Sequence, residues 1–379
     1  MKKIALIGST GSIGRQVLNV VRRHSDKFEI VSLSGGDNAR LFFEQVKEFK
    51  PKVASLKNEP LGFSKKEYLG TEFYFGENAF TNAILKDCDI VVVSLVGFTG
   101  IIAVLDAINK GKDIALANKE SLVVGGELVV NLAKQKGVKI LPIDSEHSAI
   151  WQALSFDFDK PFSKIILTAS GGAFRDKKKS ELEFLTAKDA LKHPNWQMGD
   201  KITVDCATLV NKAFEVIEAK WLYNTSFDKI SVIIHRESII HSMVEFLDKS
   251  VIAQLSYPTM ELPIALALNY PERITGNLES LDFAALRSLT FEEPDRERFP
   301  SLDLVINSGK MGKTYPAVAN GANEQAVKLF LQNKIKFTDI HKSIDICLQA
   351  HEPKQVTSLQ DLIWANEFAV NKVKEMFGE

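Results

Sequence analysis

Cysteine is scarce in this chain of 379 residues, and its three cysteines, Cys88, Cys206 and Cys347, lie far apart. No two of them form a C-x-x-C pair, which argues against a zinc knuckle and against a disulfide framework. Such sparing use of cysteine is typical of a reducing compartment. We therefore expect a cytoplasmic protein.

Long apolar runs and an excess of one charge are also missing. No run approaches the roughly 18 residues of a membrane span, and the N-terminus enters a strand pattern without a signal-like segment. The 47 Lys and Arg residues nearly cancel the 48 Asp and Glu residues, so no global field favours nucleic acid or an anionic membrane. We expect a small-molecule partner, with any anion held by local groups.

The chain does contain enough apolar sequence, 45% of its residues, to build a sizeable core in two or three domains. Its first 143 residues alternate apolar runs with amphipathic stretches, the pattern of a parallel sheet covered by helices on both faces. The runs predicted as strands are KIALI from Lys3, FEIVSLS from Phe28, KVASL from Lys52, DIVVVSLV from Asp89, DIALA from Asp113 and VKILPI from Val138.

The pattern changes from about Ser163. The runs KIILTAS, KISVIIH, HSMVEFL and VIAQLSY predict strands that follow one another with short connections in an antiparallel or mixed sheet. A charged, proline-punctuated stretch from Thr290 then precedes a mainly helical C-terminus. We predict an α/β protein with a doubly wound, Rossmann-like domain over residues 1–146, a central α+β domain over 147–275, a linker over 276–299 and a helical domain over 300–379.

The first chemical motif is GSTGSIG, where Gly8, Gly11 and Gly14 lie between the first predicted strand and the first helix. Glycine permits a tight turn there, and the helix N-terminus offers N–H groups to a pyrophosphate. The spacing is not the usual G-x-G-x-x-G and alone also fits a plain turn, but its strand–helix context favours dinucleotide binding. The second strand ends in SLSGGDN with no acid at its immediate tip, which leaves room for the 2'-phosphate of NADP.

The second motif is a pair of carboxylates, Asp144 and Glu146, at the end of an apolar run. Two residues apart in an extended segment, their side chains would point to the same side of the chain and could share a cation. Helix capping is the alternative, since Asp144, Ser145 and Ser148 all precede the helical pattern AIWQAL.

A third carboxylate, Glu215, lies on a predicted helix in VDCATLVNKAFEVIEAKW. Its spacing from Asn211 and Lys212 places an amide, a cation and a carboxylate on one helical face. A solvated face with an intrahelical salt bridge fits the spacing equally. Spacing alone does not choose between these interpretations.

Longer motifs spread along almost the whole chain carry a more specific signal. Their order and context resemble those of the 1-deoxy-D-xylulose 5-phosphate reductoisomerase family, which acts in the methylerythritol phosphate route to isoprenoids. The matching stretches are GSTGSIG, ALANKESLV, PIDSEHSAI, TASGGAF, HPNWQMG, VDCATLVNKAFEVIEA, LSYPTMELPIALAL, FPSLDL and FTDI.

This resemblance implies NADPH- and divalent-metal-dependent rearrangement of 1-deoxy-D-xylulose 5-phosphate, by retro-aldol cleavage and re-addition, and reduction to 2-C-methyl-D-erythritol 4-phosphate. Asp144, Glu146 and Glu215 match the positions that hold the metal, Mg²⁺, Mn²⁺ or Co²⁺, and with Lys119 they match the catalytic residues. The positions that match substrate contacts are Lys119, Ser145, Glu146, Ser170, His193, Trp196, Cys206, Asn211, Lys212 and Glu215. Those that match the cofactor side are Gly8, Thr10, Gly11, Ser12, Ile13, Gly36, Asp37, Asn38, Asn118, Glu120 and Gly199.

The resemblance further implies a homodimer and a lid over residues 170–200 whose Trp196 covers the substrate. Two positions depart from the family. Cys206 stands where a serine is common, and Asp37 stands where some relatives have a basic residue near the adenine ribose. Two other functions stay open: another bidomain NAD(P)-dependent dehydrogenase, of the semialdehyde or homoserine type, and a non-catalytic dinucleotide-sensing module.

Overall fold

The computed structural model describes residues 1–60, 67–68, 70–193, 195–196, 198–276 and 278–379. Pro194 and Gln197 of the predicted lid and Asn277 of the predicted linker lie outside this described part. The chain forms two compact units. Unit 1 comprises Met1–Ser121, Val129–Asp144 and Met260–Asn277, and unit 2 comprises Leu122–Leu128, Ser145–Thr259 and Leu278–Glu379. The four-part division drawn from the sequence stays a prediction.

Strands and helices alternate through the first half of the chain, and helices dominate its end. The strands of the described residues are β1 Lys2–Ile7, β2 Phe28–Gly35, β3 Val53–Leu56, β4 Glu67–Tyr68, β5 Thr71–Phe75, β6 Ile90–Val93, β7 Asp113–Leu116, β8 Ile140–Pro142, β9 Lys164–Ala169, β10 Ile230–Ile234, β11 Ile240–Glu245 and β12 Val251–Leu255. The helices are α1 Ser12–Arg23, α2 Ala39–Phe49, α3 Gly100–Asn109, α4 Glu120–Lys136, α5 Ser145–Ala153, α6 Ala187–Ala190, α7 Asp200–Thr208, α8 Val210–Leu222, α9 Glu261–Asn269, α10 Phe283–Leu286, α11 Ser301–Met311, α12 Tyr315–Leu331, α13 Phe337–Ala350 and α14 Leu359–Phe377.

Unit 1 is built on an eight-stranded sheet in the order β4-β5-β3-β2-β1-β6-β7-β8. Every neighbouring pair is parallel except β4 with β5. All four residues of β6 are buried, as expected of a strand covered on both faces. The predicted doubly wound domain is confirmed. The two short strands β4 and β5 were not predicted.

Strand order in unit 1 reverses at β1, which lies between β2 and β6. Ligands of open α/β sheets bind outside the carboxyl ends of the strands at such a reversal. The turn from β1 to α1 therefore lies at the edge of the sheet where such folds bind their ligands.

Unit 2 contains a four-stranded mixed sheet in the order β10-β9-β11-β12. β9 and β10 are parallel, whereas β11 is antiparallel to both β9 and β12. The expected mixed sheet is confirmed, but the expected short connection is wrong for β9 and β10. A parallel pair needs a crossover, and residues 170–229 supply it with α7 and α8.

The core of unit 2 surrounds α8. This helix packs against α11 and against β10, and ten of its residues, from Val210 to Ala219, are buried. The helices α11 to α14 form the predicted helical C-terminal region. No helix in the described ranges has the length and apolar character needed to cross a bilayer.

Candidate active site

The turn between β1 and α1 is closely packed, which requires glycine. Gly8 has φ +96°, and a Cβ on Gly14 would overlap the Gly8 carbonyl oxygen. Gly11 occupies the N-cap of α1, and no described side chain caps the helix there. The first N–H groups of α1, including those of Ser12 and Ile13, are therefore arranged as an anion site.

The carboxyl end of β2 lies beside this turn. The Gly36 N–H donates to Thr10 Oγ1 at 3.4 Å. Asn38 caps α2 through its side chain, and the exposed Asp37 accepts a hydrogen bond from Asn58 Nδ2 at 3.2 Å. The structure thus brings together the predicted cofactor residues of both loops.

Asn118 fixes the turn between β7 and α4. Its Nδ2 donates to the carbonyls of Leu95 and Gly97, each at 3.0 Å, and to Glu120 Oε2 at 3.1 Å. Its Oδ1 accepts the Ser121 N–H at 3.0 Å. Asn118 is buried, so in this structure its amide binds the protein itself and ties the loop after β6 to the start of α4.

Lys119 and Asp144 form a buried ion pair within unit 1. Lys119 Nζ lies 2.5 Å from Asp144 Oδ2, and both side chains are 8% exposed. A lone lysine is usually solvated, but this one is buried against a carboxylate. Because burying an unpaired charge is costly, each of these two side chains stabilises the charge of the other.

Glu146 lies in the first turn of α5, which begins at Ser145. The expectation that Asp144 and Glu146 share one extended segment is wrong, because the strand β8 already ends at Pro142. Asp144 occupies the position directly before the helix. Ser145 Oγ donates to Glu146 Oε2 at 2.5 Å.

One face of α8 meets Glu146 within unit 2. Lys212 Nζ lies 2.7 Å from Glu146 Oε1 and also bonds to Glu215 Oε2. Asn211 Nδ2 donates to Glu215 Oε1 at 2.6 Å. The intrahelical salt bridge proposed as the alternative does exist, but its face is not solvated, since Lys212 and Glu215 are 4% and 1% exposed.

The charges of this cluster are unbalanced toward the acids. Burial lowers the pKa of the Lys212 ammonium, but the Glu146 and Glu215 carboxylates outweigh it and raise that pKa above its ordinary value. Glu146 and Glu215 each present a carboxylate oxygen, and these oxygens lie within 4.8 Å of one another. The cluster can hold a cation with hard oxygen ligands.

Ser170 and His193 form a second polar group in unit 2. His193 Nδ1 accepts the N–H groups of Asn195 and Trp196, at 3.2 and 3.0 Å, so its Nε2 carries the proton and donates to Ser170 Oγ at 2.9 Å. Burial, with the nearby Arg175 cation, lowers the pKa of His193 to about 4. This imidazole is therefore neutral at pH 7.

The SGG turn after β9 packs against α7. Gly171 and Gly172 have φ +83° and +71°, and a Cβ on Gly172 would overlap the Cys206 carbonyl oxygen. The turn that follows Ser170 thus lies against the backbone of the half-buried Cys206. Gly199 occupies the N-cap of α7, and Trp196 meets the His241 ring edge to face, with centroids 6.0 Å apart.

His147, which no sequence motif predicted as a site residue, links the two carboxylate-bearing helices of unit 2. Its Nε2–H donates to the Glu215 carbonyl at 3.0 Å, and its Nδ1 lies 3.4 Å from Glu218 Oε2. Tyr223 Oη donates to the His147 carbonyl at 2.5 Å. The only signal in the sequence was that His147 follows Glu146 directly, and a lone histidine is more often a core residue.

Three family models match the chain. The model of 1-deoxy-D-xylulose 5-phosphate reductoisomerase matches residues 4–126, that enzyme's C-terminal domain matches 140–223, and a DXP reductoisomerase C-terminal domain matches 255–372.

Relatives bearing that enzyme name match over nearly the full length. The protein of Caldanaerobacter subterraneus is 51% identical over 366 residues, 96% of each chain. That of Chlorobium limicola is 48% identical over 382 residues, 100% of each chain.

Two solved structures are similar throughout. The reductoisomerase of Zymomonas mobilis in complex with NADPH is 37% identical, with a TM-score of 0.91 over 99% of each chain. A reductoisomerase in complex with NADPH, fosmidomycin and magnesium is 36% identical, with a TM-score of 0.92 over 99% of each chain.

Proposed function

Since the chain belongs to the 1-deoxy-D-xylulose 5-phosphate reductoisomerase family, we propose that it uses the clusters described above to convert that sugar phosphate to 2-C-methyl-D-erythritol 4-phosphate. NADPH and magnesium are the cofactors, as in the relatives solved with them. The observation that carries this assignment is the half-buried Glu146 and the buried Glu215 held around the buried Lys212.

Asp144, Glu146 and Glu215 are the proposed metal ligands. The two glutamates fit a hard cation, because their oxygens lie within 4.8 Å of one another and their joint field raises the pKa of Lys212. Asp144 belongs to the same set by chain geometry, since a residue two positions from Glu146 has its Cα at most about 7 Å away. When bound, the ion polarises the substrate carbonyl and stabilises the negative charge that develops on its oxygen.

Lys119 and Ser145 are proposed to hold the substrate oxygens. Lys119 is paired with Asp144 and buried, so its ammonium is positioned before substrate binds. Ser145 Oγ is held against Glu146, which gives the hydroxyl a defined direction.

The substrate phosphate is proposed to bind near Ser170, His193 and Cys206, with Asn211 and Lys212 toward the adjoining carbons. The neutral His193 already donates its Nε2–H toward Ser170 Oγ. The glycine turn after Ser170 adds a backbone cradle of the kind that binds anions. Trp196, with the rest of residues 170–200, is proposed to close over this site and exclude water.

NADPH is proposed to lie along the carboxyl end of the unit 1 sheet. The pyrophosphate would meet Gly8, Thr10, Gly11, Ser12 and Ile13, because the uncapped N-terminus of α1 attracts an anion. The adenosine side would meet Gly36, Asp37 and Asn38, and the nicotinamide side Asn118, Glu120 and Gly199.

We also propose which other metals the enzyme accepts, where it acts and how it assembles. Mn²⁺ or Co²⁺ would replace Mg²⁺, since all three accept oxygen ligands. The enzyme would be cytoplasmic, consistent with a sequence poor in cysteine. It would act as a homodimer, because β12 is an edge strand whose Val251 and Ile252 are 49% and 46% exposed, a surface suited to pairing.

A coupled assay tests the proposed function. NADPH oxidation should require both deoxyxylulose phosphate and a divalent cation, and should stop when EDTA is added. A semialdehyde or homoserine dehydrogenase would turn over its own substrate without the metal. A dinucleotide sensor would bind NADPH and show no turnover with any metal.

A further inference from the structure

We propose that Asp205, held by Asn323, is a positioning residue that places α7 and thereby sets how tightly the substrate phosphate binds. Neither residue belongs to the proposed contacts of the substrate, the metal or NADPH. The role rests on the proposed function, because Cys206 of α7 and the turn after Ser170 are where the phosphate is proposed to bind.

Asp205 and Asn323 join two helices of unit 2. Asp205 lies in α7 and Asn323 in α12, and Asn323 Nδ2 donates to Asp205 Oδ1 at 2.8 Å, across 118 positions of sequence. Both residues are buried. A hydrogen bond to a buried carboxylate is strong and directional, so this one fixes the distance between the two helices.

Lys201 binds the second oxygen of the same carboxylate. Its Nζ lies 2.9 Å from Asp205 Oδ2. The same ammonium lies 5.3 Å from the centre of the Phe214 ring on α8, within the range of a cation–π interaction. Asp205 therefore has one oxygen directed to α12 and the other to a lysine that contacts α8.

The proposed phosphate site depends on the position of α7. Cys206 directly follows Asp205 in this helix. A Cβ on Gly172 would overlap the Cys206 carbonyl oxygen, so the turn after Ser170 packs against the backbone of the same helix. A displacement of α7 would therefore move both groups that are proposed to hold the phosphate.

The helix α8, which carries Glu215, has other support. It packs against α11 and β10, whereas α7 packs against α12. Loss of the contact between Asp205 and Asn323 should therefore displace α7 more than α8 and leave Glu215 in place. Because contacts to the remote phosphate hold ground state and transition state alike, we expect the substrate KM to rise while kcat changes little.

Asn323→Leu removes the donor and keeps a side chain of similar size. With NADPH and Mg²⁺ saturating, we expect the KM for deoxyxylulose phosphate to rise by about tenfold and kcat to change by less than about threefold. Asp205→Asn and Asn323→Asp should each raise KM as well, the second by placing two carboxylates opposite each other. The double variant of these two substitutions restores a donor opposite a carboxylate and should return KM to within about threefold of the unmodified chain.

Val373→Ala is the matched control, because it removes packing from the buried face of α14 and lowers the free energy of unfolding, measured in urea, while Asp205 and Asn323 are kept. Its KM should equal that of the unmodified chain. An equal rise of KM in Val373→Ala, an unchanged KM in Asn323→Leu, or a double variant no better than its single variants would overturn the inference.

Alkylation of the half-buried Cys206 provides a measurement that does not need turnover. Without substrate, iodoacetamide should modify Cys206 at least about threefold faster in Asn323→Leu than in the unmodified chain, because α7 is held less firmly. Val373→Ala should react at the unmodified rate, and equal rates in all three proteins would also overturn the inference. If the rates differ as expected but the unmodified chain does not turn over deoxyxylulose phosphate, the proposed function fails and the role of Asp205 stands. If turnover is normal and neither KM nor the alkylation rate responds, the reverse holds.

Discussion

The Lys212 ammonium lies 2.7 Å from Glu146 Oε1, across 66 positions of sequence. This contact joins the first turn of α5 to the first turn of α8. It also places a protein cation in the field of two carboxylates, so an added metal ion must share those carboxylates with Lys212. The contribution of the carboxylates and the contribution of the lysine can therefore be tested by separate substitutions.

Glu215→Gln keeps the shape of the side chain and removes one negative charge from the proposed metal site. We expect turnover to fall by at least about a hundredfold, while NADPH binding hardly changes. Steady-state rates over a range of Mg²⁺ concentrations, together with calorimetric titration of Mn²⁺, provide the measurement. Glu352→Gln, at an exposed position, is the control and should behave like the unmodified enzyme. Near-normal activity at limiting Mg²⁺ would show that Glu215 is not a ligand.

Lys212→Met leaves the buried Glu215 and the half-buried Glu146 without their shared ammonium. Breaking a buried ion pair costs about 3–5 kcal/mol, so we expect a loss of that size in the free energy of unfolding measured in urea with EDTA. Adding Mg²⁺ should recover part of the loss, because the ion supplies the missing positive charge. Lys310→Met removes an exposed lysine and should change stability little in either buffer. A loss that Mg²⁺ does not reduce would argue against a metal at this cluster.

The sequence predicted which site residues share one face of a helix, but it did not predict which helices bring their site residues into contact. Helical spacing placed Asn211, Lys212 and Glu215 on one face, and the structure confirms this. Spacing could not reveal that the face is buried, because burial depends on packing against α11, which is distant in sequence. The contact with Glu146 is unpredictable for the same reason.

Other predictions from the sequence were wrong at the ends of helices and in short strands. The helix α5 begins at Ser145, earlier than the apolar run suggested, so Glu146 is helical rather than extended. The short strands β4 and β5 give too little periodicity to be recognised. Long runs of buried β-branched residues, as in β6, were recognised because a strand covered on both faces needs them.

His193 should make stability depend on pH. Its pKa is about 4 in the folded chain, below the ordinary value of 6.5, so between these values the unfolded chain binds more protons and stability rises with pH. The contribution of His193 to the free energy of unfolding is complete above about pH 6.5 and is lost as pH falls toward 4. We expect His193→Gln to flatten the pH dependence of the unfolding free energy in this window. Equal slopes for both proteins, or an NMR titration midpoint of the His193 ring near 6.5, would contradict the assignment.

Closure of the lid should change the surroundings of Trp196, whose ring is half-buried against His241. Adding fosmidomycin with Mg²⁺ should therefore change tryptophan fluorescence and slow proteolysis within residues 170–200. The fluorescence change should disappear in Trp196→Phe, which keeps Trp151, Trp221 and Trp364. Identical cleavage patterns with and without ligand would indicate a fixed loop.

Cys206→Ser tests whether this position contacts the substrate phosphate. A hydrogen bond to a charged acceptor contributes about 1.5–3 kcal/mol. Because a thiol is a weaker donor than a hydroxyl, Cys206 should provide only part of that stabilisation. We expect the serine variant to keep kcat/KM or to raise it by up to about tenfold. The gain should appear mainly in KM, because the phosphate is remote from the reacting carbons and its contacts hold ground state and transition state alike.

The other two cysteines provide internal controls for the same position. Burial raises the pKa of the Cys88 thiol and raises that of Cys347 to about 12, so both should resist alkylation at neutral pH. Cys206 is half-buried, and we expect it to be the thiol that reacts and to be protected by substrate, through cover and through the repulsion between phosphate and thiolate. Cys347→Ser should lower stability without changing KM, because it places a hydroxyl in the core. If Cys206→Ser behaves in that same way, and substrate does not alter its alkylation, then Cys206 faces away from the ligand and the phosphate site must be assigned without it.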